Sequence, residues 1–260
     1  MVIVGEKINI MSKIIGKAMK ERDAKPIVEL ARQQKEAGAT YLDLNIGPAA
    51  KDGPDMMEWL VQTIQAEVDI PLSLDTTNPK AMEAGLKVHK GQALVNSISG
   101  KKERIEQVLP LVKEYDAKVI GLTMTEAGVP RDANERAATA VDILTAVTEA
   151  GVSPENLFLD PLALPMAVAQ QDTKEVFEAI KLFKELYDPP PKTIIGLSNI
   201  SNNAPPRVKP LLDRVFLTML MAYGLDGAIL DPLDKDLMET AKTIKLFRNE
   251  VLYAHSYLDK

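Results

Sequence analysis

The chain has 260 residues with 37 acidic and 31 basic side chains, so its net charge is −6 and its isoelectric point lies near pH 5.2. It contains no cysteine and two histidines, His89 and His255, which excludes disulfides, thiol nucleophiles, cysteine-bound metal centres and multi-histidine metal sites within this chain. The acidic balance argues against nucleic acid as a partner.

No stretch approaches the roughly 18 consecutive apolar residues that a transmembrane helix needs. The apolar run at residues 1–4 is too short for the core of a signal peptide. We therefore expect a cytoplasmic protein that makes no membrane contact.

Eight short runs rich in apolar and β-branched residues are predicted to be strands. In chain order they cover residues 2–4, 41–45, 72–75, 94–96, 119–122, 157–160, 193–197 and 228–230. Most are continuously apolar, which is typical of strands buried on both faces in a parallel sheet.

The segments between these strands show the spacing of α-helices. Apolar residues recur at intervals of three and four, as on one helix face, in the sets Met57, Leu60, Val61 and Ile64; Ile105, Val108, Leu109 and Val112; Val176, Ile180 and Phe183; and Leu237, Ala241 and Ile244. Asn78 and Ser153 each precede a proline, a pattern typical of helix starts. Three glycines follow apolar helical stretches and are predicted to end helices: Gly38, Gly151 and Gly224.

Eight strand–helix units in about 250 residues predict an α/β protein that is one (β/α)8 TIM barrel, with residues 1–260 forming a single domain. A doubly wound open sheet is the alternative. Eight consecutive units favour closure of the sheet into a barrel.

The active site of such a barrel lies at the C-terminal ends of its strands. Nearly every predicted strand here ends in an acid or an amide, and these residues include Glu6, Asn45, Asp75, Asn96, Asp160, Asn199 and Asp231. Lysine is absent from the strand ends, with Lys7 the nearest, and the last two loops lack the glycines of a phosphate site. Carboxylates and amides together suit a flat heterocycle with adjacent N–H and C=O groups, such as a pterin or a guanine-like ring.

Other interpretations of these polar residues stay open. Each Asp or Asn can simply cap the next helix, and Asn78 is a better cap than Asp75. Alternatively, Asp75, Asp160 and Asp231 can hold a divalent metal, as in a metal-dependent lyase or aldolase-like barrel. Outside the strand ends, residues 101–104 (KKER) are predicted to be a solvent-exposed helix start, and His89 a surface residue at a helix end.

Six short motifs occur in order along the chain: GEKIN at 5–9, LDLNIGP at 42–48, LDTTN at 74–78, VNS at 95–97, DPL at 160–162 and GLSNIS at 196–201. Together they resemble the pterin-binding methyltransferases, in particular those that act on methyltetrahydrofolate and a corrinoid/iron–sulfur protein or serve corrinoid-dependent demethylases. Dihydropteroate synthase shares that fold, but its pyrophosphate-handling motif and its late basic pair are not evident here.

The resemblance implies that a methyl group moves between N5 of methyltetrahydrofolate and the cobalt of a corrinoid. The corrinoid would be carried by a separate protein, with or without an iron–sulfur cluster, and no metal would be bound by this chain. The resemblance also implies a homodimer, for which the apolar residues Leu246, Phe247, Val251, Leu252 and Tyr253 can form an interface, unless they belong to the core. A folate-binding barrel without catalysis is a third alternative.

The resemblance also assigns residues. Asp75, Asn96 and Asp160 would bind the pterin edge, and Gly196 and Ser198 would line the ring. Asn199 would hydrogen-bond N5, and either carboxyl group, Asp75 or Asp160, can supply a proton to N5 through water. The residues that would reach the folate tail are Asn202 and Arg207.

Overall fold

The computed structural model describes residues 1–48 and 51–254; His255 therefore lies outside the described residues. Eight strands run through this part of the chain: β1 Val2–Asn9, β2 Tyr41–Asn45, β3 Leu72–Asp75, β4 Leu94–Ser99, β5 Lys118–Leu122, β6 Leu157–Asp160, β7 Lys192–Gly196 and β8 Gly227–Leu230. Each pairs in parallel with its sequence neighbours, and β8 pairs with β1. The closed ring confirms the predicted (β/α)8 barrel and contradicts the open doubly wound sheet.

Helices connect these strands. The described residues form α1 Lys13–Glu21, α2 Ala24–Glu36, α3 Gly53–Glu67, α4 Pro79–Val88, α5 Lys102–Glu114, α6 Ala133–Glu149, α7 Met166–Ala169, α8 Asp172–Phe183, α9 Lys209–Ala222 and α10 Lys235–Phe247. The four predicted apolar faces lie on α3, α5, α8 and α10, and they are buried except for Ile105, which is partly buried. None of the helices in the described ranges has both the length and the apolar character needed to cross a membrane.

Most of the local signals for helix ends are confirmed. The Asn78 side chain accepts a hydrogen bond from the Lys80 N–H at the start of α4. The three glycines expected at helix ends have positive φ angles. Ser153, in contrast, precedes only a three-residue 3₁₀ turn, because β6 begins at Leu157 and leaves no room for a helix.

Two strands extend beyond their predicted C-terminal ends. β1 continues through Glu6 and Lys7 to Asn9, and β4 continues to Ser99. Both strands shift register against a neighbour near the mouth of the barrel, which lets polar residues remain in the strand. Their polar ends therefore belong to the rigid barrel rather than to loops.

The barrel interior is filled at one level by a separate apolar cluster of Val4, Tyr41, Leu94, Ile120, Phe158 and Ile194. Side chains two positions apart on a strand point to the same face. The residues two positions beyond five of these side chains are Glu6, Asp43, Asn96, Asp160 and Gly196. The alternation of side chains thus points three acids, one amide and one glycine into the barrel, on the C-terminal side of the apolar cluster.

The surface position expected for His89 is wrong, whereas the sequence leaves both an interface and the core open for the C-terminal apolar residues. His89 is partly buried, and its Nε2 accepts a hydrogen bond of 3.0 Å from the Leu72 N–H at the start of β3. Near the C-terminus, Phe247 and Leu252 are 87% and 86% exposed, so they do not belong to the core of this chain. The homodimer for which they were considered stays a prediction.

Candidate active site

A polar cluster lies where β2, β3 and β4 end. The Asp43 carboxylate accepts hydrogen bonds from the Ser73 hydroxyl at 2.6 Å and from the Asn96 amide at 3.1 Å. The Asn45 amide donates to Asp75, its partner in the β2–β3 register. Asp75 in turn lies opposite Asn96 in the β3–β4 register. Two of the predicted pterin-edge residues, Asp75 and Asn96, are therefore brought together.

The two carboxyl groups of this cluster, Asp43 and Asp75, have raised pKa values. Burial raises the pKa of Asp43 to about 6, although hydrogen bonds from Ser73 and Asn96 favour its charged form. Burial raises the pKa of Asp75 to about 8, and the negative charge of Asp43 adds to that rise. Asp43 accepts two side-chain hydrogen bonds, from Ser73 and Asn96, whereas Asp75 accepts one, from Asn45, so a proton shared by the pair lies on Asp75.

Asp160 lies across the barrel mouth at the end of β6 and is 4% exposed. Its Oδ1 accepts a hydrogen bond of 2.7 Å from the Leu162 N–H. Burial raises the pKa of Asp160 to about 7, against the opposing influence of the Leu162 and Gly196 N–H groups and of the Arg136 charge. Asp160 is thus a buried carboxyl group that changes its charge near neutral pH.

The end of β7 brings Gly196, Ser198 and Asn199 together in one turn. Residues Leu197–Asn199 form a 3₁₀ turn directly after Gly196. A Cβ atom on Gly196 would lie 2.9 Å from the Asn199 Nδ2, so the glycine leaves room for the amide to lie against the strand end. The predicted N5 contact therefore lies next to a predicted ring-lining residue.

Two cavities open beside this turn. One of about 480 Å³ is lined by residues that include Ser198, Asn199 and Asn202, and another of about 590 Å³ lies over α1 and α2. Glu6, Lys7 and Ser198 line both. Their volumes are in the range of small-molecule sites, which run from about 300 to 1,000 Å³.

The proposed contacts to the folate tail differ in position. Asn202 lines the 480 Å³ cavity together with Asn199. Arg207 is exposed in the loop before α9 and is not among the residues that line this cavity. The structure thus joins Asn202, but not Arg207, to Ser198 and Asn199. The predicted pterin-edge residues Asp75, Asn96 and Asp160 are not among the residues that line either cavity.

The three aspartates of the metal hypothesis have separate partners. Asp231 forms a 2.8 Å ion pair with Lys7, Asp75 is bonded by Asn45, and Asp160 is bonded by a backbone N–H. Among residues 1–48 and 51–254, no three or more His, Asp or Glu side chains come together as a possible metal site. The described residues therefore do not supply the ligand set that the metal-dependent alternative needs.

Three residues of the site were not assigned by the sequence. Glu6 accepts a 2.9 Å hydrogen bond from the Ser198 hydroxyl, and burial raises its pKa to about 7. Asp43 lies beneath the pair Asp75 and Asn96. Both acids lie within the motifs GEKIN and LDLNIGP. The alternation of side chains along β1 and β2, which points both acids into the barrel, could have identified them from the sequence.

Arg104 is the third such residue and corrects the predicted solvent-exposed helix start. Its guanidinium donates to the carbonyl oxygens of Ser97, Thr77 and Thr76 at 2.8, 3.0 and 2.8 Å. Arg104 therefore ties together the ends of β3 and β4, which carry Asp75 and Asn96.

Comparisons with known proteins point to one family. A model of the pterin binding enzyme family matches residues 6–231. The chain is 30% identical over 240 residues to methylcorrinoid:tetrahydrofolate methyltransferase of Eubacterium limosum, which covers 92% of this chain and 88% of that protein. It is 31% identical over 238 residues to methionine synthase of Mycobacterium tuberculosis, a match that covers 87% of this chain and 20% of that much longer protein.

Solved structures with the same architecture are dihydropteroate synthases. The enzyme of Xanthomonas albilineans with 4-aminobenzoic acid superposes with a TM-score of 0.71 at 17% identity, covering 96% of this chain and 93% of that one. The Yersinia pestis enzyme with a pterine–sulfa conjugate also gives 0.71, at 16% identity and with 95% and 94% covered. At these identities the likeness shows the fold alone.

Proposed function

The chain belongs to the pterin binding enzyme family, and from this premise we propose that it transfers a methyl group between N5 of methyltetrahydrofolate and the cobalt of a corrinoid carried by a separate protein. The relative from Eubacterium limosum is named for a methylcorrinoid and tetrahydrofolate, the same two methyl carriers with the methyl group on the corrinoid, and the match extends over most of both chains. A cytoplasmic location, a homodimer and a single domain over residues 1–260 stay predictions from the sequence.

The carboxyl groups at the mouth support binding of a pterin. A pterin edge presents parallel N–H groups, which a carboxylate accepts in pairs. Asp160 suits this role because the N–H groups of Leu162 and Gly196 favour its charged form. Asn96 supplies an amide that both donates and accepts. Its Nδ2 donates a hydrogen bond to Asp43, which fixes the orientation of the amide.

The observation that carries the proposal is the neutral amide of Asn199 at the end of β7, with Gly196 behind it. When the methyl group leaves for Co(I), the N5–C bond breaks, its electron pair stays on N5, and the cobalt electron pair forms the Co–C bond. N5 then needs a proton or a hydrogen bond. A preorganised neutral donor such as Asn199 can meet this changing charge in either direction of transfer.

Asp75 is the acid that we assign to the proton on N5. Burial raises the pKa of both carboxyl groups, but the negative charge of Asp43 adds to the rise at Asp75, to about 8, whereas two backbone N–H groups oppose the rise at Asp160, to about 7. Two carboxyl groups whose environments differ in this way are suited to acid and acceptor roles. A water molecule between Asp75 and N5 would complete the path.

The corrinoid is a substrate here, brought to the barrel mouth by its own protein. Composition supports this arrangement, because the chain has no cysteine and few histidines with which to hold a cobalt or an iron–sulfur centre. The acceptor must approach the face of the mouth on which Asn199 lies.

Two measurements test the proposal. Calorimetry with methyltetrahydrofolate measures binding, and stopped-flow spectroscopy with cob(I)alamin and EDTA throughout follows loss of Co(I); methylcob(III)alamin with tetrahydrofolate tests the reverse direction. We expect binding and enzyme-dependent transfer that EDTA does not abolish. Absence of folate binding would overturn the proposal. Binding without transfer in either direction, to cobalamin or to a corrinoid protein, would instead support the non-catalytic alternative.

A further inference from the structure

Arg136 on α6 is a fully buried charged residue to which neither the motifs nor the proposed reaction assigns a role. Its Nε donates a 2.9 Å hydrogen bond to the Pro161 carbonyl oxygen, and its Nη2 forms a 2.6 Å ion pair with Asp172 on α8. Its Nη1 has no hydrogen-bond partner in the described part of the chain. A buried guanidinium is costly to desolvate, so its position calls for an explanation.

Pro161 directly follows Asp160, and the next residue has an unusual backbone. Leu162 has a φ of 64°, a left-handed conformation that a leucine rarely adopts. This conformation directs the Leu162 N–H to the Asp160 Oδ1 at 2.7 Å. The Arg136 bond to Pro161 fixes the carbonyl between these two residues, and so restrains the turn from the outside of the barrel.

α6 itself is held firmly at this point. The Asp132 side chain caps its first turn by accepting from the Glu135 N–H at 2.9 Å. Glu175 on α8 accepts from the Ala133 N–H, also at 2.9 Å. The start of α6 is therefore fixed by two hydrogen bonds, one of them with α8, and Arg136 extends from this helix to the end of β6.

We infer that Arg136 is a positioning residue, which holds the Asp160–Leu162 turn so that the Asp160 carboxylate faces the barrel mouth and feels an incompletely neutralised positive charge behind it. The neighbours of Asp160 on every side are consistent with this. Leu162 and Gly196 supply N–H groups, Thr123 on β5 donates to the Asp160 carbonyl at 3.0 Å, and Asp172 acts through Arg136. The Arg136 charge opposes the rise in the Asp160 pKa that burial causes.

Two substitutions should move the Asp160 titration in opposite directions. Arg136→Gln removes the positive charge, so the titration midpoint of Asp160 should rise. Asp172→Asn keeps the shape of the partner but removes its negative charge, so the same midpoint should fall. If the two residues acted through packing alone, both variants would weaken the same Arg136–Asp172 contact, and the Asp160 midpoint would not shift in opposite directions.

Carboxyl carbon NMR of the substrate-free protein measures this, with the Asp160 signal assigned from Asp160→Asn. Arg214→Gln is a matched control, because Arg214 pairs with Asp236 at 2.8 Å on the surface and should leave the Asp160 signal unchanged. Shifts in the same direction, or no shift, would overturn the inference. If Arg136→Gln does not fold, the downward shift in Asp172→Asn decides alone.

The reading of Asp160 as a pterin contact rests on the proposed function, whereas the NMR titration needs neither folate nor corrinoid. Arg136→Gln should also weaken the binding of methyltetrahydrofolate by about tenfold or more, because a shift of about 1 Å in a positioned group can lower activity by up to 10²-fold. Arg136→Lys, which keeps the charge, should retain part of the affinity that Arg136→Gln loses. Opposite NMR shifts in a protein without methyl transfer would contradict the proposed function and leave the positioning role intact.

Discussion

The negative charge of Asp43 acts on Asp75, which lies closer to the barrel mouth on the neighbouring strand, and adds to the burial that raises the pKa of Asp75 to about 8. Two buried carboxyl groups in contact cannot both be charged without a large penalty, so the pair retains one proton. Asn45 donates to Asp75, while Ser73 and Asn96 donate to Asp43. The surroundings thus assign the proton to Asp75, the residue nearer the mouth.

Asp75→Asn tests the acid role of this proton. The amide can still donate to Asp43, but it cannot release a proton to N5, so kcat for methyl transfer should fall by about 10²-fold or more. In the wild-type protein the rate should decline above about pH 8, where Asp75 loses its proton. Single-turnover stopped flow between pH 6 and 9 measures both effects, with Asp55→Asn on the exposed face of α3 as the control. An unchanged rate and profile in Asp75→Asn would assign the proton to another group.

The same pair should make stability depend on pH. The folded protein binds the Asp75 proton up to about pH 8, whereas the ordinary carboxyl pKa is 3.8. The folded state therefore holds more protons over this interval, and wild-type stability must fall as the pH rises through it. Asp75→Asn lacks this loss, so its Tm relative to wild type should be higher at pH 9 than at pH 5, with each kcal/mol worth about 2–4 °C. Parallel Tm profiles for the two proteins would contradict the raised pKa.

Much of the fold follows from the sequence because the barrel strands are short, apolar and regularly spaced. β2, β3 and β6 have the predicted bounds, since each is an apolar run that ends at an acid or an amide. The same ends place Asp75 and Asp160 at the mouth. β1 was predicted too short, because Glu6 and Lys7 interrupt its apolar pattern, although the strand resumes its pairing with β2 at Ile8.

Residues that act from outside a strand end were harder to predict. Arg136 lies in a helical segment of alanines and charges, NERAATA, which is typical of an exposed face. Arg104 stands in a charged run that has the composition of a solvated helix start. Their burial comes from the packing of α5 and α6 against strand ends far away in the sequence, information that no local pattern carries.

Asn199 can be tested by removal and by displacement. Asn199→Ala should lower the methyl-transfer rate by about 10²–10³-fold, the usual loss for one preorganised donor. Gly196→Ala should give a smaller loss, because its new Cβ would lie 2.9 Å from the Asn199 Nδ2 and push the amide aside without touching rigid backbone. Stopped flow gives the rates, and circular dichroism and Tm should stay near wild type. A wild-type rate in Asn199→Ala would refute the role of its amide.

Glu6 should affect folate affinity only where it is charged. Its pKa of about 7 and its place in both cavities mean that a negative charge develops there above neutral pH, where it would repel the carboxylates of the folate tail. Glu6→Gln should therefore bind methyltetrahydrofolate several-fold more tightly than wild type at pH 8.5 and equally at pH 6. Calorimetry at both pH values measures this, with Glu178→Gln, an exposed acid that lines neither cavity, as the control. Equal affinities at pH 8.5 would mean that the tail does not pass Glu6.

Asp160 should give the binding step its own pH dependence, with the sign opposite to that of Glu6. A pterin edge is bound by the charged carboxylate, and the substrate-free protein holds a proton on Asp160 up to about pH 7. Below that pH, binding must first release the proton, so affinity should fall by about tenfold for each pH unit. Asp160→Asn should bind weakly at every pH and lose this slope, because an amide accepts through Oδ1 only and its Nδ2 would face an N–H group of the pterin edge. Calorimetry of Glu6→Gln and of Glu6→Gln combined with Asp160→Asn, from pH 5.5 to 8, separates the two carboxyl groups. If the slope persists in the double variant, another group carries the titration and Asp160 is not the acceptor of the pterin edge.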